Sequence, residues 1–135
     1  MSLEITQKER EGITILEMTG RITMGKEATM LREKCAELAA AGIKNVVFNL
    51  ENVDFIDSTG LGALVITATN AKKNGGAVKL VSLNKRNIEL LVMTRLATAF
   101  ETFSDEQEAI NSFYPDRQVK TFDILEFVQK LKQEE

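Results

Sequence analysis

The sequence predicts an α/β single domain: a mixed sheet of four to five strands with helices packed against it and one extra helix at the C-terminus. Three observations carry this expectation. Short β-rich apolar runs alternate with longer stretches whose apolar residues recur at three and four positions. Glycines, alone or beside asparagine, stand at the joints between them. The chain of 135 residues, 44% hydrophobic and 27% charged, is long enough to bury a core without disulfides or metal.

Leu3 to Gln7 and the run Ile13, Ile15, Leu16, Met18 ending at Gly20 read as two antiparallel strands. The polar Lys8 to Gly12 between them reads as the hairpin turn. From Lys26 to Ala41 the period changes: Ala28, Leu31, Cys35 and Leu38 form one apolar stripe, with Gly42 placed for a left-handed C-cap. Cys35, on that stripe, reads as a small buried thiol. Lys44 to Leu50 is a strand whose Val46, Val47 and Phe48 do not alternate, as expected of a strand covered on both faces and parallel to its neighbours.

Leu61, Leu64, Val65 and Ala68 mark the next helix, which runs to Lys72 or Lys73 and stops at Asn74-Gly75-Gly76. Ala77 to Leu83 reads as a strand, Asn84 to Met93 as a short helix, and Phe100 and Phe103 flank a short final strand. Ser104 to Phe113 reads as a helix with Ser104 as N-cap and Asp105 and Glu106 in its first turn. Pro115 marks the end of the domain, placing its boundary at residues 1–115 and leaving 116–135 as an extension. There Ile124, Phe127, Val128 and Leu131 share a helical face, with Thr121 able to cap it. A helix of about 14 residues is marginal alone. Its apolar face must dock, on its own domain, on a second copy as a homodimer, or on another chain.

Composition removes several functions. Without histidine there is no Ser-His-Asp or Cys-His catalysis and no histidine metal site. One cysteine permits neither an internal disulfide nor a cysteine cluster, and a single thiol suits a reducing compartment. With 17 basic against 20 acidic residues the net charge is -3, which argues against nucleic-acid binding by bulk positive charge. No apolar run approaches a membrane span, and Met1 to Arg10 lacks the apolar middle of a signal peptide, so a cytoplasmic protein without membrane partners is expected.

The informative stretch is Asn49 to Gly62, read as the loop between the central strand and the following helix. Loops at the C-terminal edge of parallel strands are where α/β folds place functional groups. The helix should begin near Ser58 or Thr59, and Asp57, Ser58 or Thr59 can cap it. Capping alone would explain all three. Gly60 and Gly62, however, fall within the first turns, where each costs about 1 kcal/mol relative to alanine. Two such glycines point to close approach of another backbone. Ser58 would present its hydroxyl beside that bare surface, where free N–H groups and the positive end of the helix dipole favour a phosphate. The pattern suits a protein that docks on the glycine face and a serine that is modified at its centre. A nucleotide loop is a weak alternative, because neither Gly-x-x-x-x-Gly-Lys nor Gly-x-Gly-x-x-Gly is present. Glu51, Asp54 and Asp57 are too loosely spaced for a metal set. No catalytic, cofactor-binding or metal-binding residue is expected, and no paired constellation suggests an enzyme.

Val53-Asp54-Phe55-Ile56-Asp57-Ser58-Thr59-Gly60-Leu61-Gly62, preceded by the Val46 to Leu50 strand, resembles the signature of STAS domains, specifically the bacterial anti-sigma factor antagonists. Thr19-Gly20-Arg21-Ile22 resembles the family's strand-ending glycine segment, and the resemblance covers about residues 3 to 113. It implies a STAS-like fold, with helices mainly on one side of the sheet, and a mechanism of partner switching. In that mechanism the unphosphorylated antagonist binds an anti-sigma factor that is itself a serine kinase, and a sigma factor is freed. The kinase then phosphorylates the serine matching Ser58, the complex separates, and a serine phosphatase resets it. By the same resemblance Asp57 helps to present this serine, and Asp57, Ser58, Thr59, Gly60, Leu61 and Gly62 form the partner surface together with Thr23 and Met24. Many antagonists carry an acid where Thr23 and Met24 stand. The alternative is a STAS subunit that does not switch, within a larger signalling assembly or transporter complex.

Overall fold

The computed structural model describes residues 3–134. Its first two strands, β1 (Leu3–Arg10) and β2 (Ile13–Ile22), form an antiparallel hairpin. The turn is shorter than the sequence predicts. The ladder continues through Lys8 opposite Ile15 and Arg10 opposite Ile13, so only Glu11 and Gly12 turn the chain. Both have positive φ, 52° and 83°, the twist that a two-residue hairpin needs. Lys8 and Arg10 stay in the strand because each finds the Glu106 carboxylate, at 3.1 and 2.9 Å.

After α1 (Lys26–Ala40), strand β3 (Asn45–Ile56) enters the sheet parallel to β2. Helix α2 (Ser58–Lys73), strand β4 (Ala77–Val81), helix α3 (Lys85–Met93) and strand β5 (Glu101–Phe103) follow. The strand order is β1-β2-β3-β4-β5, parallel from β2 onwards. This is the expected five-stranded mixed sheet. The predicted strand Ala77 to Leu83 ends at Val81, because Ser82 adopts a positive φ of 59°.

The largest departure concerns β3. The sequence predicts a strand ending at Leu50 and a loop to Asp57, but pairing with β2 continues to Ile56. Leu50, Val53 and Ile56 are all buried, although residues three apart in a regular strand point to opposite faces. Two bulges reconcile this. Three residue steps of β3, Asn49 to Asn52, oppose two of β2, Glu17 to Thr19; two steps, Val53 to Phe55, oppose one, Gly20 to Arg21.

The main core lies on one face of the sheet, where Leu31, Leu38, Leu64, Ile88 and Leu91 of α1, α2 and α3 cover Leu16, Phe48 and Leu80. The other face carries a smaller cluster under α4 (Glu106–Asn111), in which Ala109 and Ile110 cover Ile15, Val47, Val81 and Phe103. Asp105 caps α4 by accepting from Glu108 N at 2.9 Å, which corrects the predicted Ser104 cap by one residue. Lys79 is buried on this face, its ammonium on Ser112 Oγ at 2.7 Å, Glu101 at 3.4 Å and the Phe113 ring at 4.2 Å.

The extension docks on its own domain. Phe122 N donates to Thr102 O at 2.9 Å and Thr102 Oγ1 to Phe122 O at 2.7 Å, closing the outer edge of β5. Ile124 enters the main core, and Phe127 and Val128 of α5 (Ile124–Glu134) pack against it. The cap is Asp123, which accepts from Glu126 N at 3.0 Å, not Thr121. The apolar face of α5 is thus partly covered from within the chain: Ile124 is buried, Phe127, Val128 and Leu131 are half-buried, and Leu125 is 52% exposed.

Candidate functional site

The C-terminal end of β3 delivers Asp57 and Ser58 to the edge of the sheet, beside the loop that leaves β2 for α1. Asp57 is the N-cap of α2, with extended backbone geometry. Its two carboxylate oxygens do different things. Oδ1 accepts from Gly60 N at 2.8 Å and closes the helix, while Oδ2 accepts from Met24 N at 2.9 Å. Asp57 N also donates to Ile22 O at 3.2 Å. One side chain therefore ties the start of α2 to the Thr23-Met24 segment, which sequence spacing could not reveal.

The two glycines divide. A Cβ on Gly60 would lie 1.8 Å from Ile22 O, so Gly60 is the close approach of another backbone that the sequence implies, but that backbone is the chain's own β2. Gly60 is buried, and Leu61 is 4% exposed in the main core. Both pack into the chain's own fold, so the open positions of this turn are Ser58, Thr59 and Gly62. Gly62 is different: a Cβ there would meet nothing within 4 Å.

Ser58 and Thr59 are exposed in the first turn, and Met24 is 70% exposed. With Gly60 N held by Asp57, the N–H groups of Ser58 and Thr59 have no protein partner among the described residues. Thr23 is half-buried. The structure thus brings together Ser58, Thr59, Gly62, Thr23 and Met24, with Asp57 behind them.

Two asparagines to which the sequence reading gave no role at the site brace this edge. Asn84 and Asn87, at the start of α3, both donate to Val53 O, at 3.1 and 3.0 Å. Arg86 stacks on Phe55 at 4.5 Å. An Asn at a helix start reads as a cap, which Asn84 also is, accepting from Asn87 N at 2.8 Å; the second bond is visible only in three dimensions.

Among the described residues no three carboxylate or thiol groups converge as metal ligands, and Glu51, Asp54 and Asp57 stay apart. No helix among them is long and apolar enough to cross a membrane.

Comparison with known proteins agrees with this geometry. The STAS domain family model matches residues 4–109. The anti-sigma-B factor antagonist of Bacillus subtilis is 36% identical over 96 residues, covering 71% of this chain and 86% of that protein. A solved anti-sigma factor antagonist from Mycobacterium paratuberculosis shares the fold with a TM-score of 0.73, at 22% identity, covering 82% of this chain and 93% of that one. The Bacillus cell fate determinant SpoIIAA, solved in its phosphorylated form, superposes with a TM-score of 0.64 at 16% identity, covering 82% and 99% of the two chains.

Proposed function

Because the chain belongs to the STAS domain family, we propose that it is an anti-sigma factor antagonist that works by partner switching, with Ser58 as the switch. The observation that carries this reading is the exposed Ser58 hydroxyl on the first turn of α2, flanked by exposed Met24 and open Gly62 and braced by Asp57. In this reading the dephosphorylated protein docks its Ser58 edge on an anti-sigma factor that is a serine kinase, and a sigma factor is released. The kinase transfers the γ-phosphoryl of its ATP to Ser58 Oγ, the hydroxyl proton leaves, and ADP remains on the kinase. A serine phosphatase hydrolyses the phosphoester. The chain itself is a binding module, not an enzyme. Its switching unit is the domain of residues 1–115, with 116–135 as an accessory that braces β5 and α3. The cytoplasm, where sigma factors act, is its place of work. Similarity to the B. subtilis antagonist supports the partner class, and a phosphorylated form of a protein of the same fold supports the modification.

The energetics suffice without refolding. A phosphoserine adds about -1.5 to -2 charges at pH 7. In the free protein the open N–H groups of Ser58 and Thr59 and the helix dipole receive it. In a docked interface water is excluded, Asp57 lies adjacent, and an uncompensated charge costs several kcal/mol. Weakening a complex 100- to 1,000-fold needs about 3–4 kcal/mol.

The test is phosphotransfer and binding with a cognate anti-sigma kinase. Wild type should gain one phosphate, at Ser58. Ser58→Ala should stay bound in the presence of ATP, and Ser58→Asp should bind at least tenfold more weakly. Phosphate found only at other residues, or Ser58→Asp binding as tightly as wild type, would refute the switch.

A further inference from the structure

A cavity of about 540 Å³ opens between α1 and α2, well away from the Ser58 edge. Its α2 lining begins at Ile66 and ends at Asn74, roughly 12 to 24 Å along the helix from Ser58. Nothing in the proposed switch uses it. Small residues line its walls: Ala36 and Ala39 on α1, both exposed at its rim, and half-buried Ala71 on α2. Val46, Phe48 and Val78 of the sheet floor it, and Phe48 is fully buried, so the floor is sealed. Ile66, 50% exposed, stands at its lip as an apolar side chain without cover.

The charge of this lining has one sign. Arg32 and Lys44 are its only ionisable residues besides Cys35, and no acid lines it. Neither cation forms an ion pair among the described residues, whereas Lys34, on the same helix as Arg32, pairs with Glu37 at 3.6 Å. The smaller gap between α3 and α5, about 340 Å³, contrasts with it, because Glu89 lies there beside Lys85 and Lys132. An apolar trough with unpaired cations and no carboxylate complements an anion that carries an apolar body. Its size falls within the roughly 300–1,000 Å³ of ligand sites.

We propose that the α1–α2 cavity binds a small amphiphilic anion, a medium-chain fatty carboxylate being the simplest form, with the apolar chain along Ala36, Ala39 and Ile66 and the carboxylate on Arg32 or Lys44. Cys35 makes the site testable. It lines the cavity, is half-buried, and is the chain's single cysteine. Burial pushes its thiol up, against a weaker pull from its contact with Thr67. Alkylation of the protein at cysteine therefore reports on this cavity alone.

The experiment titrates the full chain with decanoate by calorimetry and follows alkylation of Cys35 by iodoacetamide with mass spectrometry at pH 8. Saturable one-to-one binding is expected, with alkylation slowed at least tenfold at saturation. Arg32→Gln combined with Lys44→Gln should weaken binding at least tenfold while circular dichroism stays native, because both residues are exposed. Ala39→Leu should fill the trough and abolish binding, again with native dichroism. The proposal is overturned if decanoate shows no saturable binding, if it binds without protecting Cys35, or if decanol binds as tightly as decanoate.

Discussion

The starts of α2 and α4 are built on the same cap and serve opposite ends. Asp57 accepts from the N–H three residues on, at Gly60, and Asp105 does the same from Glu108, at 2.8 and 2.9 Å. At α4 the residue after the cap is Glu106, whose side chain is 11% exposed and takes Asn49 Nδ2 at 2.7 Å, Arg10 at 2.9 Å and Lys8 at 3.1 Å. At α2 the residue after the cap is Ser58, which is exposed and engages no side chain of the fold among the described residues, with exposed Met24 and open Gly62 on either side. The cap fixes where a helix begins; the next side chain decides whether that end is sewn into the fold or left for another molecule. At α2 the cap also uses its second oxygen on Met24 N, so the open end stays rigid without being covered.

Breaking the α2 start from inside should have the largest effect. Gly60→Ala places a methyl 1.8 Å from Ile22 O, which backbone must move to relieve, so a loss of about 3–5 kcal/mol is expected in urea unfolding, up to failure to fold. Gly62→Ala is the control within the same turn. It meets nothing within 4 Å and should stabilise by about 0.5–1 kcal/mol, while weakening capture of the kinase partner.

Breaking the α4 start should come next. Glu106→Gln removes the shared partner of Lys8 and Arg10 and should lose about 2 kcal/mol at pH 7. Burial alone would raise the Glu106 carboxyl, but its bonds from Asn49, Arg10 and Lys8 outweigh that and hold it below the usual range. A depressed folded pKa means that the unfolded chain binds the proton first. The stabilisation is therefore complete above the unfolded value of about 4.3 and is lost as pH falls through the folded one. Thermal melts from pH 7 to 3 should show a steeper acid limb for wild type than for Glu106→Gln. Kinase binding at pH 7 should be the same for both.

The smallest effects compare the caps directly. Asp57→Ala and Asp105→Ala should each lower stability by about 1 kcal/mol. Only Asp57→Ala should also reduce partner capture, because it frees Met24. Equal binding losses for the two would remove the distinction between the ends.

Much of this was legible in the chain. The stripe of Ala28, Leu31 and Leu38, the start of α2 at Ser58 and the five strands follow from local period and punctuation, which act over a few residues. What escaped is non-local. Leu50, Val53 and Ile56 do not read as a strand, because two bulges against β2 set their spacing. Gly60 announces a close approach, yet only the fold shows that Ile22 makes it. Glu106 looks like a dipole complement at a helix start; its partners Lys8 and Arg10 lie nearly 100 residues away in sequence.

With the strip around Phe122 against β5, β1 is the outer strand without a neighbour among the described residues, and it carries Glu4, Lys8, Glu9 and Arg10. Charged rims of this kind resist edge-to-edge growth. A regulator that competes by number of copies must accumulate to match its target, and a molecule trimmed this way can be made in abundance without polymerising on itself.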